Sequence, residues 1–109
     1  MAINWGNKET VAQKEAKAAE AAYQQWKTQR QAAVDAITVE VDGIVFDGDE
    51  MAQTRMARAV TAADALTDTV AWTLADNSVI TVTAQQLKTA CRLAGEEQTS
   101  IWNDGRPDL

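Results

Sequence analysis

A chain of 109 residues with 46% hydrophobic and 24% charged residues bounds one domain with a single modest core. Its formal charge of −6 is uneven: residues 1–37 carry five Lys/Arg against four acids, and the remainder five against twelve, or −7. An acidic body repels phosphate and argues against nucleic acid as a partner, and the lack of histidine removes His-based acid/base work, Ser/His and Cys/His pairs and nearly all zinc chemistry.

The opening string MAINWGNKE has no apolar run of signal-peptide length. No stretch approaches the roughly 18 apolar residues of a membrane span. The expectation is a chain made in the cytoplasm, with no membrane partner. From the polar start Asn7, Lys8 and Glu9, an Ala-, Gln- and Lys-rich run without Gly or Pro predicts a helix to about Ile37. About thirty residues at 1.5 Å rise make a rod of about 45 Å. One stripe on it follows 4-3 spacing: Ala12, Ala16, Ala19, Tyr23, Trp26, Arg30, Ala33 and Ile37. The period suits a coiled coil, but alanines bury little and Arg30 interrupts the seam. Two readings are open. The helix packs on its own domain through Tyr23, Trp26 and Ile37, or part of it projects and docks on another chain. About 65 further residues are too few to cover such a rod, so part of the stripe is expected to meet a partner, with Tyr23, Trp26 and Arg30 as its contact residues.

Thr38 to Asp42 alternates, with Val39 and Val41 on one face and Glu40 on the other. Asp42-Gly43 signals a two-residue turn, and Ile44-Val45-Phe46 returns as the partner strand. Asp47 then reads as an N-cap with Glu50 as its capping-box partner, while Phe46 and Met51 take the hydrophobic-staple positions. The helix that follows is expected to reach about Leu66, with Ala52, Met56, Ala59, Val60 and Ala63 on its apolar face. Arg55 and Arg58 lie one turn apart without an acid at i±4 inside the helix. They are expected to pair with acids such as Glu40 or Asp42, or to reach a carboxylate on a partner subunit. The acids Asp42, Asp47, Asp49 and Glu50 do not have the spacing of a calcium loop, because Ile44-Val45-Phe46 is strand-like. No metal is expected there; negative charge at a helix start answers the helix dipole.

Thr69 to Ala75 alternates again and sets Val70, Trp72 and Leu74 on one face. Asp76-Asn77-Ser78 turns the chain, Val79 to Val82 returns, and Thr83 is an N-cap with Gln86 in the capping-box position. Val82 and Leu87 are the staple. The last helix carries Leu87, Ala90, Cys91, Ala94, Ile101 and Trp102 near one face, with Gly95 expected to kink it or end a first segment. Cys91 has no intrachain disulfide partner and reads as a buried, inert thiol. Trp102 is expected to close the core edge, and NDGRPDL reads as a polar tail. The fold class is α+β: a long N-terminal helix followed by a ββαββα unit, the two hairpins forming one four-stranded antiparallel sheet with the following helices on one face. The domain boundaries are 1–37 for a docking or oligomerisation arm, 38–102 for the α+β unit and 103–109 for the tail.

FDGDEMAQTRMARAV, VAWTLADNSVITVT and LKTACRLAGEEQTSIW together resemble a phage-tail-associated domain of unknown function, common in tail-fibre and baseplate-region proteins. The resemblance rests on Asp49, Glu50, Gln53 and Arg55 through Arg58, then Trp72 through Asn77, Thr83, and Ile101-Trp102. Ala52 stands where the family often has serine. The resemblance covers about residues 38–102 and leaves the helical arm outside. It implies a structural protein of the virion tail that is not an enzyme, needs no cofactor and joins or decorates other tail proteins. A tail-fibre assembly chaperone and an acidic inhibitor of a host nuclease are the alternatives. A trimer fits fibre symmetry by analogy, yet the alanine seam predicts weak or no self-association of the isolated chain.

Overall fold

The computed structural model describes residues 11–105, so the expected helix start at Asn7–Glu9 and residues 106–109 of the tail lie outside the described residues. The order is α1 (Val11–Asp35), β1 (Thr38–Val41), β2 (Ile44–Asp47), α2 (Glu50–Ala62), β3 (Thr69–Thr73), β4 (Val79–Thr83) and α3 (Ala84–Asn103). This is the expected α+β order, a long helix and then two antiparallel hairpins, each followed by a helix.

The first hairpin folds as its turn dictates. Asp42 and Gly43 both have positive φ, 53° and 78°, the two-residue turn that matches strand twist. Val41 sits opposite Ile44 and Val39 opposite Phe46, which puts these four side chains on the core side. The ladder continues past the strands through Gly48 N–H to Ile37 C=O at 2.8 Å. In the second hairpin Val70 faces Val82 and Trp72 faces Ile80, with Asn77 at φ 67° in the turn.

The hairpins do not join into one sheet; each is a two-stranded sheet of its own. Only Ala75 N–H to Val45 C=O, at 3.4 Å, links the edge of β2 to the second hairpin. The reason lies in α3, which packs against β1 on one side and β4 on the other. Both hairpins bury their apolar faces on this helix, so core formation does not require their edges to meet.

Two clusters make the core. Val41, Phe46, Met56, Val82, Leu87 and Ala90 form the larger, in which Phe46, Met56 and Leu87 are fully buried. Each such side chain contributes about 1.5–3 kcal/mol by leaving water. Val34, Ile37 and Ala94 form the smaller, where α1 meets α3. The α3 residues in both are spaced for one face, and Ala90 and Ala94 let neighbouring elements approach closely. Gly95 neither ends nor divides α3, which is one helix of 20 residues.

The two helix starts differ more than their sequences suggest. Thr83 caps α3 as expected: its side chain accepts from Gln86 N–H at 3.1 Å, and Gln86 Oε1 accepts from Thr83 N–H at 2.9 Å. Val82 and Leu87 are both buried beneath this box. At α2 the cap is Asp49, not Asp47; its Oδ1 accepts from Ala52 N–H at 2.7 Å. Asp47 still belongs to β2, paired with Thr38. Met51 is 63% exposed, so no Phe46–Met51 staple forms. A polar link takes its place: Gln53 Nε2 donates to Gly48 C=O at 2.9 Å and to Gln98 Oε1 at 2.8 Å, tying the start of α2 to α3. The helix stops at Ala62 rather than Leu66 because the Asp68 carboxylate accepts from Asp64 and Ala65 N–H and holds them in a turn.

Candidate docking surface

Of the 4-3 stripe on α1, the part from Ala19 onward faces inward. Trp26 and Ile37 are buried, and Ala19, Tyr23, Arg30 and Ala33 are half-buried. Val34, outside the stripe, is fully buried beside them. Residues Val11 to Ala18 are all exposed, Val11 by 73%. The molecule is elongated, measuring 77 × 24 × 24 Å. The second half of the helix thus packs on its own domain, and Val11–Ala18 project without cover among the described residues.

Tyr23 stacks on Trp26 with ring centroids 5.8 Å apart, and Trp26 meets Trp102 edge-on at 5.4 Å. The Trp26 indole N–H donates to Asp104 C=O at 2.9 Å. Trp26 is 6% exposed and committed to its own chain; among the three expected contact residues of the arm, Tyr23 and Arg30 keep part of their surface. Lys27 Nζ lies 5.5 Å from the Tyr23 ring centroid, a cation–π contact at the cluster's rim. Arg30 Nε is buried with no hydrogen-bond partner. Trp102, expected only at the core edge, is the residue that turns Trp26 inward. Its place beside Ile101 at the end of the apolar face of α3 was the available signal.

Arg55 and Arg58 are both exposed. Neither forms an ion pair or hydrogen bond among the described residues; the Arg92–Glu96 pair at 2.9 Å is a separate link within α3. The expected pairing with Glu40 or Asp42 does not occur. Asp42 instead accepts from Gln86 Nε2 at 3.3 Å, and Glu40 lies over a groove with Glu96 and Glu97 on the other side of α1. The hairpin carries these two acids away from the α2 face that bears the arginines.

The arginines line an open groove of about 810 Å³ between the second half of α1 and the start of α2, with Gln31, Asp35, Glu50 and Met51. Gln31 Nε2 donates to Asp35 Oδ1 at 3.0 Å and to Glu50 Oε1 at 3.4 Å, bridging the two helices. Asp49 is taken by the cap. The groove's acids are therefore held by neutral donors, and its two guanidinium groups are left over. Gln31, Asp35 and Met51 were not singled out by sequence, because nothing local announces that α1 and α2 lie side by side there.

Among the described residues no three His, Cys, Asp or Glu side chains converge as metal ligands. Cys91 is half-buried rather than buried; its Sγ–H donates to Gln53 C=O at 3.5 Å, and burial pushes the thiol above its ordinary pKa. The Asp76 carboxyl is held below the usual range by the Ser78 hydroxyl and Ser78 N–H that donate to it. No described helix is long and apolar enough to cross a membrane.

No curated protein and no solved structure matches the chain. A family model does match, over residues 12–106, so it takes in α1 as well as the hairpins, where the resemblance was expected to start at 38. The chain belongs to the family described as a domain of unknown function, DUF4376.

Proposed function

We propose that this chain is a non-enzymatic structural protein of a phage tail, in the fibre or baseplate region, where it serves as adaptor or attachment module through α1. The observation that carries the docking role is the arm itself. Residues from Trp26 onward lock α1 to α3, while Val11–Ala18 stand uncovered on the same rigid helix. A rod anchored at one end presents its free end in a fixed direction, which suits a connector. The place in the tail rests on the residue strings FDGDEMAQTRMARAV and VAWTLADNSVITVT. Its partners are then other tail proteins, with a trimer as the fibre-symmetric form.

Mass spectrometry of purified particles from a phage that encodes the chain tests this reading. The expected result is stoichiometric presence in the mature virion. Deletion of residues 1–18, which leaves every inward-facing described position of α1 in place, is expected to abolish incorporation while the isolated protein still folds. Binding to a fibre protein in infected cells with absence from mature particles would make it an assembly chaperone instead.

A further inference from the structure

We propose that the outward edge of β3, together with the α2 face opposite it, accepts an extended segment of a partner protein carrying a carboxylate for Arg55. The site is separate from the α1 arm and does not depend on where the chain resides.

The phase of the second hairpin fixes which backbone groups are free. Leu74 N–H donates to Ser78 C=O at 2.7 Å. Antiparallel pairing alternates bonded and non-bonded residues, so Trp72 and Val70 turn their N–H and C=O to β4. Thr69, Ala71 and Thr73 turn theirs outward. Ala75, the next in this phase, donates to Val45 and marks the one point where the outward edge meets β2. Beyond it the hairpins part, and among the described residues no other backbone bond closes the edge. Thr69, Ala71 and Thr73 are exposed.

Two further observations say what fits. Across the gap, α2 presents Ala52, Arg55, Ala59 and Ala62 at spacings of one stripe. With β3 they line two cavities of about 220 and 250 Å³, one at each end of the strand. The small side chains leave open volume along the edge, where an added strand would lie about 4.8 Å from β3. Arg55 opens onto this gap and shares the cavity with Asp47, but forms no ion pair with it or with any other described residue, so a carboxylate on the incoming segment meets a guanidinium that is not yet engaged. Edge strands are ordinarily blunted by a charge, a proline or a bulge; TVAWT carries none. A second copy is the poorer occupant, because pairing β3 with β3 would bring two bodies of the same acidic charge, and two Arg55 side chains, together.

Selection of a random-peptide display library on the full chain tests the proposal, followed by synthesis of the most enriched peptide. The expected peptide alternates β-branched residues, carries Asp or Glu at a fixed position and slows amide exchange at Ala71 and Thr73. Ala71→Pro removes an outward N–H and leaves the β3–β4 ladder intact; it and Arg55→Glu are each expected to weaken the peptide by about tenfold or more. Arg55 is exposed, so Arg55→Glu decides the matter even where Ala71→Pro does not fold. Failure to enrich any such peptide, or unchanged affinity in Arg55→Glu, overturns the proposal. A concentration-dependent dimer that protects Ala71 without peptide also overturns it, by giving the edge to a second copy.

Discussion

Replacing Gly48 by alanine places a methyl group 2.6 Å from Ile37 Cγ2, 3.0 Å from Ala94 Cβ and 3.4 Å from Ile37 C=O. The first distance is shorter than carbon atoms tolerate, and neither neighbour can swing clear. Ile37 is branched at Cβ and 6% exposed, and Ala94 has no torsion to adjust. Gly48 is not in the left-handed region, so an alanine there has no backbone strain to add. The entire cost is steric. Inserting a methyl into a filled core costs about 1–3 kcal/mol, which for a domain near this size lowers Tm by roughly 4–8 °C per kcal/mol. Urea unfolding followed by tryptophan fluorescence reads the loss, since Trp26 and Trp102 sit at the α1–α3 contact that would be pushed apart. Ile37→Ala removes the Cγ2 that causes the clash. The cost of Gly48→Ala in that background is expected to fall by about half or more, a coupling of the size that contacting residues show. An unchanged midpoint in Gly48→Ala, or an equal cost with and without Ile37, would refute the reasoning.

Gly95 offers the opposite case: a Cβ there meets only Gln53 Oε1, at 3.8 Å, so Gly95→Ala is expected to raise the urea midpoint by the equivalent of about 0.5–1 kcal/mol. Thr83→Ala deletes a working cap and is expected to cost about 1 kcal/mol. Met51→Ser, at a staple position that the fold leaves exposed, is expected to stay within about 0.5 kcal/mol by the same assay. Asp76 has its folded pKa depressed by Ser78, so its contribution is present above the unfolded value and lost as pH falls through the folded one. An NMR titration is expected to place its carboxyl below the ordinary value of about 3.9, and Ser78→Ala to move it back.

Where a signal was complete within a few residues, the sequence was enough to place it. Asp42-Gly43 carries its own turn geometry, and Val82, Thr83, Gln86 and Leu87 together define one cap. The start of α2 was misplaced because Asp47 and Asp49 both offer a carboxylate at the right kind of spacing. The choice between them is made by Gly48, wedged between Ile37 and Ala94, and no local pattern records that contact. The single sheet was misread for a related reason: the strand periods were right, but α3 gave each hairpin its own surface to cover. At the candidate site, Tyr23 and Trp26 were legible as an aromatic anchor. That Trp26 is held by Trp102 and the Asp104 carbonyl depends on bringing positions 26, 102 and 104 together. Arg55 and Arg58 stood out for lacking a partner within their helix, and among the described residues they still lack one.

The placement of α3 has a consequence for how the protein is made. Every buried cluster needs a residue from 84 or later: Leu87 and Ala90 for one, Ala94 for the other. During synthesis, Phe46 and Met56 therefore leave the ribosome before the helix that completes their burial. At about 5–20 residues per second, the wait from the end of α2 to the end of α3 is on the order of 2–8 s. Through that interval the nascent chain exposes apolar surface that the folded protein buries, and both clusters close only once α3 is made.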